Sequence, residues 1–174
     1  MQGEDDARWQ RLFEDLASLE DPTWDEHEVA DLARAETVGI RLTERLTGTL
    51  GHQVSLQTVT GRVITGRLIT VAEAWLVLRD QAADHLVAIS GIATVGPLLN
   101  PRAGARAIPL GTALRRIAAR GTPVLADCHV EVRGTIHAVG ADHLEVRLEN
   151  GSASSLPTAA LVLVRCAPGT FGEA

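Results

Sequence analysis

The sequence predicts a mainly β protein with helices, an α+β chain in which two small related units follow an acidic helical segment. Three observations predict it: helical spacing of apolar residues in the first quarter of the chain, short β-branched runs separated by glycines after it, and a second copy of that strand pattern. The 174 residues suffice for one ordinary domain or two small ones. The longest apolar runs span only a few residues, so no membrane span is predicted.

Residues 1–37 form an acidic arm. Twelve acidic residues and three arginines give this segment a net charge of −9, whereas ten acidic residues and thirteen arginines give residues 38–174 a net charge of +3. Trp9, Leu12, Phe13 and Leu16 recur at helical spacing and predict an amphipathic helix. Its apolar stripe is interpreted as a core face, a dimer face or the contact with a protein partner.

A second helix is predicted after Asp21-Pro22. Thr23 followed by Glu26 is a capping box, and apolar residues continue at helical spacing as far as Leu46. Gly48 ends this pattern. We therefore expect a helix directly before the first group of strands.

The first group of strands is predicted between residues 54 and 95. β-Branched and aliphatic residues form short runs there, and glycines separate the runs, which is typical of an antiparallel meander. Five strands fit the pattern: Val54–Val59, Gly61–Val71, Trp75–Leu78, Leu86–Ile89 and Ile92–Val95.

A second group follows a segment rich in proline and glycine. Residues 100–109 have no apolar period and are predicted to be a linker. Apolar residues from Leu110 to Ala118 predict a short helix before further strand-like runs. These runs are Val124–Ala126, Val130–Val139, Leu144–Leu148 and Ala160–Val164. The predicted boundaries are an arm at 1–37, a first unit at 38–99, the linker at 100–109, a second unit at 110–167 and a tail at 168–174.

The two units align at a constant offset of 68 residues, as from Gly66 to Gly134. An internal duplication in which each copy has its own helix and strands predicts tandem domains rather than a solenoid. The other matched pairs are Leu68 with Ile136, Val71 with Val139, Leu76 with Leu144, Leu78 with Val146, and Val95 with Leu163.

The strand pattern resembles the Sm-like (LSm) small barrel, over about residues 38–99 and 110–166. Gly61–Val71, with its Gly-x-Leu-x-x-Val step from Gly66, resembles the first Sm motif, and Ile89–Ile92 falls where the second is expected. The third strand reads Trp75-Leu-Val-Leu. The resemblance implies two tandem five-stranded barrels, each preceded by a helix, with Gly66 permitting a sharp bend. Other SH3-like barrels, including the PRC-barrel family, share the same hydrophobic pattern.

The resemblance does not extend to the pocket that holds an RNA base in Sm-like proteins. That pocket uses an acidic residue, an asparagine and an arginine before glycine, and the corresponding positions here are Ala72, Leu76 and Ser90. Because these site residues differ, the fold resemblance does not imply base-specific RNA binding. The second unit has Gly140, Leu144 and Thr158 at the same positions.

No catalytic residue, metal site or cofactor is predicted. Gly61 and Gly66 have the spacing of a phosphate loop, but Arg67-Leu68 follows where Lys-Ser/Thr is needed. Neither the polar residues around Cys128 nor the serines after residue 151 have the spacing of metal ligands or of a nucleophile with its base. The residues assigned to surfaces or turns are Asp127, Cys128, His129, His137, Asp142, His143, Ser152, Ser154 and Ser155.

The function predicted first is that of a non-catalytic interaction or assembly protein. It would bind a protein partner or itself through strand edges and through the arm residues Trp9, Leu12, Phe13 and Leu16. The alternative is an RNA-associated or gene-regulatory protein that contacts phosphates through arginines, with Trp75 either stacking on a base or packing in the core. The arginines concerned are Arg62, Arg67, Arg79, Arg115, Arg116 and Arg120. Reduced cysteines and a cytoplasmic location are expected, and no small-molecule substrate is predicted.

Overall fold

A computed structural model describes residues 39–172 of the chain. Residues Arg41–Ala174 form one compact unit. The predicted arm, with its stripe of Trp9, Leu12, Phe13 and Leu16, lies outside the described residues. The two predicted strand groups and the segment between them therefore belong to a single unit.

The described residues form ten strands and two α-helices. Helix α1 spans Leu42–Gly48 and helix α2 spans Leu110–Ala118. The first half of the unit has strands β1 (Gln53–Thr58), β2 (Val63–Val71), β3 (Trp75–Arg79), β4 (Asp84–Ala88) and β5 (Ile92–Gly96). The second half has strands β6 (Val124–Asp127), β7 (Glu131–Val139), β8 (His143–Leu148), β9 (Ala153–Pro157) and β10 (Leu163–Cys166). A single 3₁₀ turn precedes the last strand of each half, at Ile89–Gly91 and Thr158–Ala160.

All ten strands belong to one antiparallel sheet, in the order β5-β1-β2-β3-β4-β10-β6-β7-β8-β9. The fold is therefore mainly β with two helices in the described part of the chain. Within each half the last strand pairs with the first, as β5 with β1 and β10 with β6. Strand β10 also pairs with β4, and this β4–β10 joint makes the two halves one continuous sheet.

The pairing register repeats between the halves. Strand β2 shifts register against β3 between Leu68 and Thr70, and β7 shifts against β8 between Ile136 and Ala138, so both irregularities lie 68 residues apart. After the β8–β9 hairpin the offset becomes 69, because that hairpin is one residue longer. The predicted match of Val95 with Leu163 is therefore wrong by one residue: Val95 pairs with Leu56, and Val164 holds the equivalent position opposite Ala126.

Strands β3 and β4 are buried on both faces. On one face Trp75, Val77 and Leu86 pack in a core with α2 and the second half. On the other face Leu76 and Val87 pack in a core with α1 and β1, which also includes Leu46, Val54, Leu56 and Leu163. Burial on both faces explains why Trp75–Leu78 and Leu86–Ala88 are continuously apolar instead of alternating. Asp84 and His85, at the start of β4, are buried with Arg79 and Asp80 as partners.

Helix α1 is shorter than the sequence predicts. Gly39–Arg41 are not helical, and the helix begins at Leu42, where the Glu44 carboxylate accepts a hydrogen bond from the Arg41 N–H at 2.9 Å. It ends at Gly48, where only glycine fits because a Cβ would collide with the carbonyl of Asn100. The predicted continuous helix through Leu46 is thus wrong over residues 39–41, while the predicted helix Leu110–Ala118 is confirmed.

Two further segments differ from the predictions. Ser154 and Ser155 lie in strand β9 and not in a turn, and β9 went unpredicted because only Leu156 of its five residues is buried. The predicted linker is attached to the fold. Arg106 forms a β-bridge with Ala72. Ile108 packs against the core. No helix within residues 39–172 is long and apolar enough to cross a membrane.

Candidate interaction surfaces at the two ends of the sheet

The β4–β10 joint shows which interactions hold the two halves of the unit together. The two strands pair from Leu163 opposite Val87 to Cys166 opposite Asp84, and the Ala88 N–H donates to the Val162 carbonyl at 3.0 Å. Apolar side chains of β3 and β4 pack beside this ladder against α2. Main-chain pairing and apolar burial therefore act together at the joint.

At the other end of the sheet, strands β8 and β9 correspond to β3 and β4, but their surface is polar. Alignment of the registers places Glu145 at the position of Val77, Ser155 at that of Leu86 and Pro157 at that of Ala88. Ser155 and Pro157 are exposed. Pro157 also lacks the N–H that Ala88 donates across the joint. This end is therefore unsuited to a repeat of the joint.

The β5 end is more open to pairing. Among the described strands β5 pairs only with β1, and its residues Ala93 and Thr94 are exposed. Ala93 holds the position of Val162, whose carbonyl accepts the bond across the joint while its N–H donates to the Asp127 carbonyl of β6. Val95 holds the position of Val164, which pairs with Leu86 across the joint. We therefore expect the carbonyl of Ala93 and both main-chain groups of Val95 to point away from β1. Proline is absent from the strand itself, and the first proline after it is Pro97.

A groove with both polar and apolar lining, called here the arginine groove, lies beside strand β2. Its volume is about 370 Å³, and its lining includes Leu50, Ile69, Val71, Phe171 and Arg106. Leu50 is 39% exposed. Within the described residues the Arg106 guanidinium makes no ion pair. The remaining lining residues are Gly51, Thr70 and Gly104.

Two more guanidinium groups contact residues of the lining. The Arg67 Nε donates to the carbonyl of Gly51 at 2.8 Å, and the Arg116 guanidinium lies 5.8 Å from the centre of the Phe171 ring. No acidic residue contributes to the lining. The groove therefore combines a mixed polar and apolar lining with positive charge.

The predicted nucleic-acid residue Trp75 is a core residue in this structure. It is 2% exposed, and its Nε1–H donates to the carbonyl of Ile108 at 2.8 Å. The Phe171 ring covers it at a centroid distance of 6.1 Å. No face of the indole is open for stacking on a base.

The structure brings three of the predicted arginines to the C-terminal segment. The Arg79 Nη2 donates to the Gly172 carbonyl at 2.9 Å. The Arg116 Nε donates to the Thr170 carbonyl at 2.9 Å, and the Arg120 Nη2 donates to the Gly169 carbonyl at 3.3 Å. Arg79 also forms a bidentate pair with the fully buried Asp84, whose other bond comes from the Phe171 N–H. These arginines hold the residues that were predicted to be a tail.

The other predicted arginines lie apart. Arg62 donates to the Glu131 carboxylate at 2.8 Å, and the Thr60 hydroxyl donates to the Asp127 carboxylate. These two hydrogen bonds link the β1–β2 and β6–β7 hairpins. Hydrogen bonds from Arg133 and Arg62 lower the pKa of Glu131. Arg115 is exposed on α2. Sequence spacing did not indicate the Arg62–Glu131 contact, because it joins residues of two different hairpins.

The polar residues considered for metal binding are dispersed. The His143 Nδ1 lies 2.8 Å from the Asp142 carboxylate, and this hydrogen bond lowers the pKa of Asp142. The Arg147 Nη2 lies 3.5 Å from His137 Nδ1. His129 is in a turn with a positive φ of 65°. Over residues 39–172 no three such side chains come together as a metal site would require.

The positions that would hold a base in an Sm-like protein are apolar or small here. Ala72 and Leu76 are fully buried, as is Leu144 in the second half, while Ser90 is exposed. Comparison with known protein families and with curated proteins gives no match for this chain.

Proposed function

We propose that this chain is a non-catalytic assembly protein that binds a protein partner through the β5 end of its sheet. The partner that the edge itself suggests is a second copy of the chain. A pair of copies joined edge to edge by β5, about a two-fold axis, places the polar β9 end of each copy outermost.

The difference between the two ends of the sheet carries this proposal. A protein that joins its parts through β4 and β10 has the means to continue the sheet, and an exposed edge strand is a ready template for pairing. At β9 the exposed Ser155 and Pro157 oppose it. Repeat proteins end in the same way, with polar outer faces on the terminal units.

The proposal includes an interpretation of the fold, in which each half is a divergent Sm-like unit of five strands. The repeated strand order and the matched irregularities at Leu68/Thr70 and Ile136/Ala138 support it. Gly66 and Gly134 support it as well, because each faces the carbonyl of a residue in the next strand, Arg79 and Arg147.

The arginine contacts favour a protein partner over a nucleic acid. Of the six arginines predicted to contact phosphates, five already donate to acceptors within the chain. A phosphate would have to compete with these acceptors, which lowers the net gain from each contact.

The test is the mass of the full-length chain in solution, measured by light scattering over a range of concentrations. We expect a mass of two chains at micromolar concentration and a mass of one chain for Val95→Pro, which removes an outward N–H from β5. The matched control is Ser155→Pro, which makes the same change on β9 and is expected to leave the two-chain mass unchanged. Circular dichroism checks that both variants fold. A one-chain mass for the unmodified protein at all concentrations contradicts the proposal, as does a two-chain mass for Val95→Pro.

A further inference from the structure

We propose that the arginine groove is a docking site for the acidic amphipathic segment of a second copy, residues 5–19. This inference rests on the proposed self-association and names a second contact within it.

The groove offers some apolar surface to a side chain of the ligand. Phe171 is half-buried, belongs to the lining and packs against the same core as Ile69. Leu50 stands at its side, still 39% exposed, so an apolar side chain that enters would remove further leucine surface from water. A volume of about 370 Å³ is enough for one or two large side chains.

The groove also requires negative charge on that ligand. Arg106 contributes to the lining without an ion pair among the described residues, and no acidic residue belongs to the lining. Arginine side chains at the edge of an apolar site favour carboxylates, with which they form charge-assisted hydrogen bonds. The ligand class is therefore an acidic peptide segment with aromatic or aliphatic anchors.

The chain itself contains a segment of this class. Trp9 and Phe13 are large anchors at helical spacing, and Glu14 and Asp15 lie beside them in a segment whose net charge over residues 1–37 is −9. Amphipathic segments that place such anchors in a groove are a common mode of peptide recognition. Each copy supplies one segment and one groove, so two copies that exchange segments satisfy both grooves with closed symmetry.

Charge reversal tests the contact in the full-length chain. We expect Arg106→Glu to weaken the association of two copies about fivefold, since it places a carboxylate against the acidic segment. A chain with both Glu14→Arg and Asp15→Arg should be weakened in the same way. The matched control is Arg102→Glu, which reverses an exposed arginine outside the groove lining and is expected to change the association much less.

Mixing the two weakened chains gives the decisive result. In the mixed pair the arginine-bearing segment meets the groove of the Arg106→Glu chain, and the acidic segment meets a groove that keeps Arg106. We therefore expect association to recover to the level of the unmodified protein. Recovery cannot occur if each segment binds only its own chain, and absence of recovery overturns the inference. If every charge variant associates normally while Val95→Pro does not, the docking site is wrong and the proposed function stands. A one-chain mass for the unmodified protein removes both.

Discussion

At the scale of single residues, two glycines set how closely neighbouring strands approach. A Cβ on Gly66 would lie 2.6 Å from the Arg79 carbonyl oxygen, and a Cβ on Gly134 would collide with that of Arg147. Any side chain at either position would push β2 from β3, or β7 from β8. Because Gly66 and Gly134 occupy the same register in their halves, the close approach is a property of the repeated fold.

Cys166 provides a prediction about reactivity. Desolvation by burial raises the pKa of its thiol from 9.0 to about 11. The thiolate is the reactive form, so at pH 9 the native thiol should react with iodoacetamide about fiftyfold more slowly than an unfolded one. The measurement is labelling followed by mass spectrometry in Cys128→Ser, which leaves Cys166 as the remaining cysteine.

The same pKa shift fixes the direction of a pH effect on stability. A pKa that is raised on folding contributes stability that is fully present below pH 9 and is lost as the pH rises toward 11. Cys166→Ala removes this contribution, so its free energy of unfolding should change less than that of the unmodified protein between pH 9 and pH 11. Fast labelling of native Cys166 at pH 9 would contradict the burial on which both expectations depend.

At the scale of elements, the C-terminal segment stabilises the contact between α2 and β3. Phe171 packs on Trp75, its N–H donates to Asp84, and Arg116 lies over its ring. These contacts join α2, β3 and β4 through residues that form no strand or helix of their own. The segment is thus part of the core, although its sequence has no apolar period.

Phe171→Ala tests this contribution. We expect a loss of about 2 kcal/mol in the free energy of unfolding, because the substitution uncovers Trp75 and leaves a cavity beside it. Urea denaturation of the full-length chain measures the loss. Phe171→Leu is the matched control and should recover much of it, since leucine restores apolar cover but not the ring contacts. Equal losses for both variants would point to the aromatic geometry, and no loss for either would show that the segment contributes nothing.

Most elements follow from local pattern, and the exceptions have physical causes. Helix α2 was predictable because its apolar residues repeat at helical spacing, and β3 because Trp75-Leu-Val-Leu is a β-favouring run. Strand β9 was not predictable, because Ser154, Ser155 and Pro157 disfavour strands. These residues form a strand only through pairing with β8. The helix starts at Leu42, where the Glu44 carboxylate accepts a hydrogen bond from the Arg41 N–H. The spacing of apolar residues does not reveal this cap.

At the scale of the whole molecule, the β4–β10 joint decides the architecture. It pairs strands from opposite halves, Val87 with Leu163, and local propensity has no information about such a partner. The duplication was visible in the sequence, but which edges would meet was not. The candidate surfaces follow from the joint, since it uses one edge of each half and leaves β5 and β9 at the ends of the sheet.

The polar β9 end is expected to stop the sheet from growing, and its conversion tests this role. Glu145→Val, Ser155→Leu and Pro157→Ala together give β8 and β9 the residues that β3 and β4 carry at the joint, Val77, Leu86 and Ala88. The converted end should pair head to tail with the β5 end of another copy, and such a contact forms rings or open chains. Light scattering and sedimentation should detect species larger than two chains, growing with concentration. A matched control places the same three residue types, valine, leucine and alanine, at exposed positions on β2, β7 and α2, as Thr65→Val, His137→Leu and Thr112→Ala. Growth in both variants would indicate non-specific hydrophobic association, and growth in neither would show that β9 composition does not limit assembly.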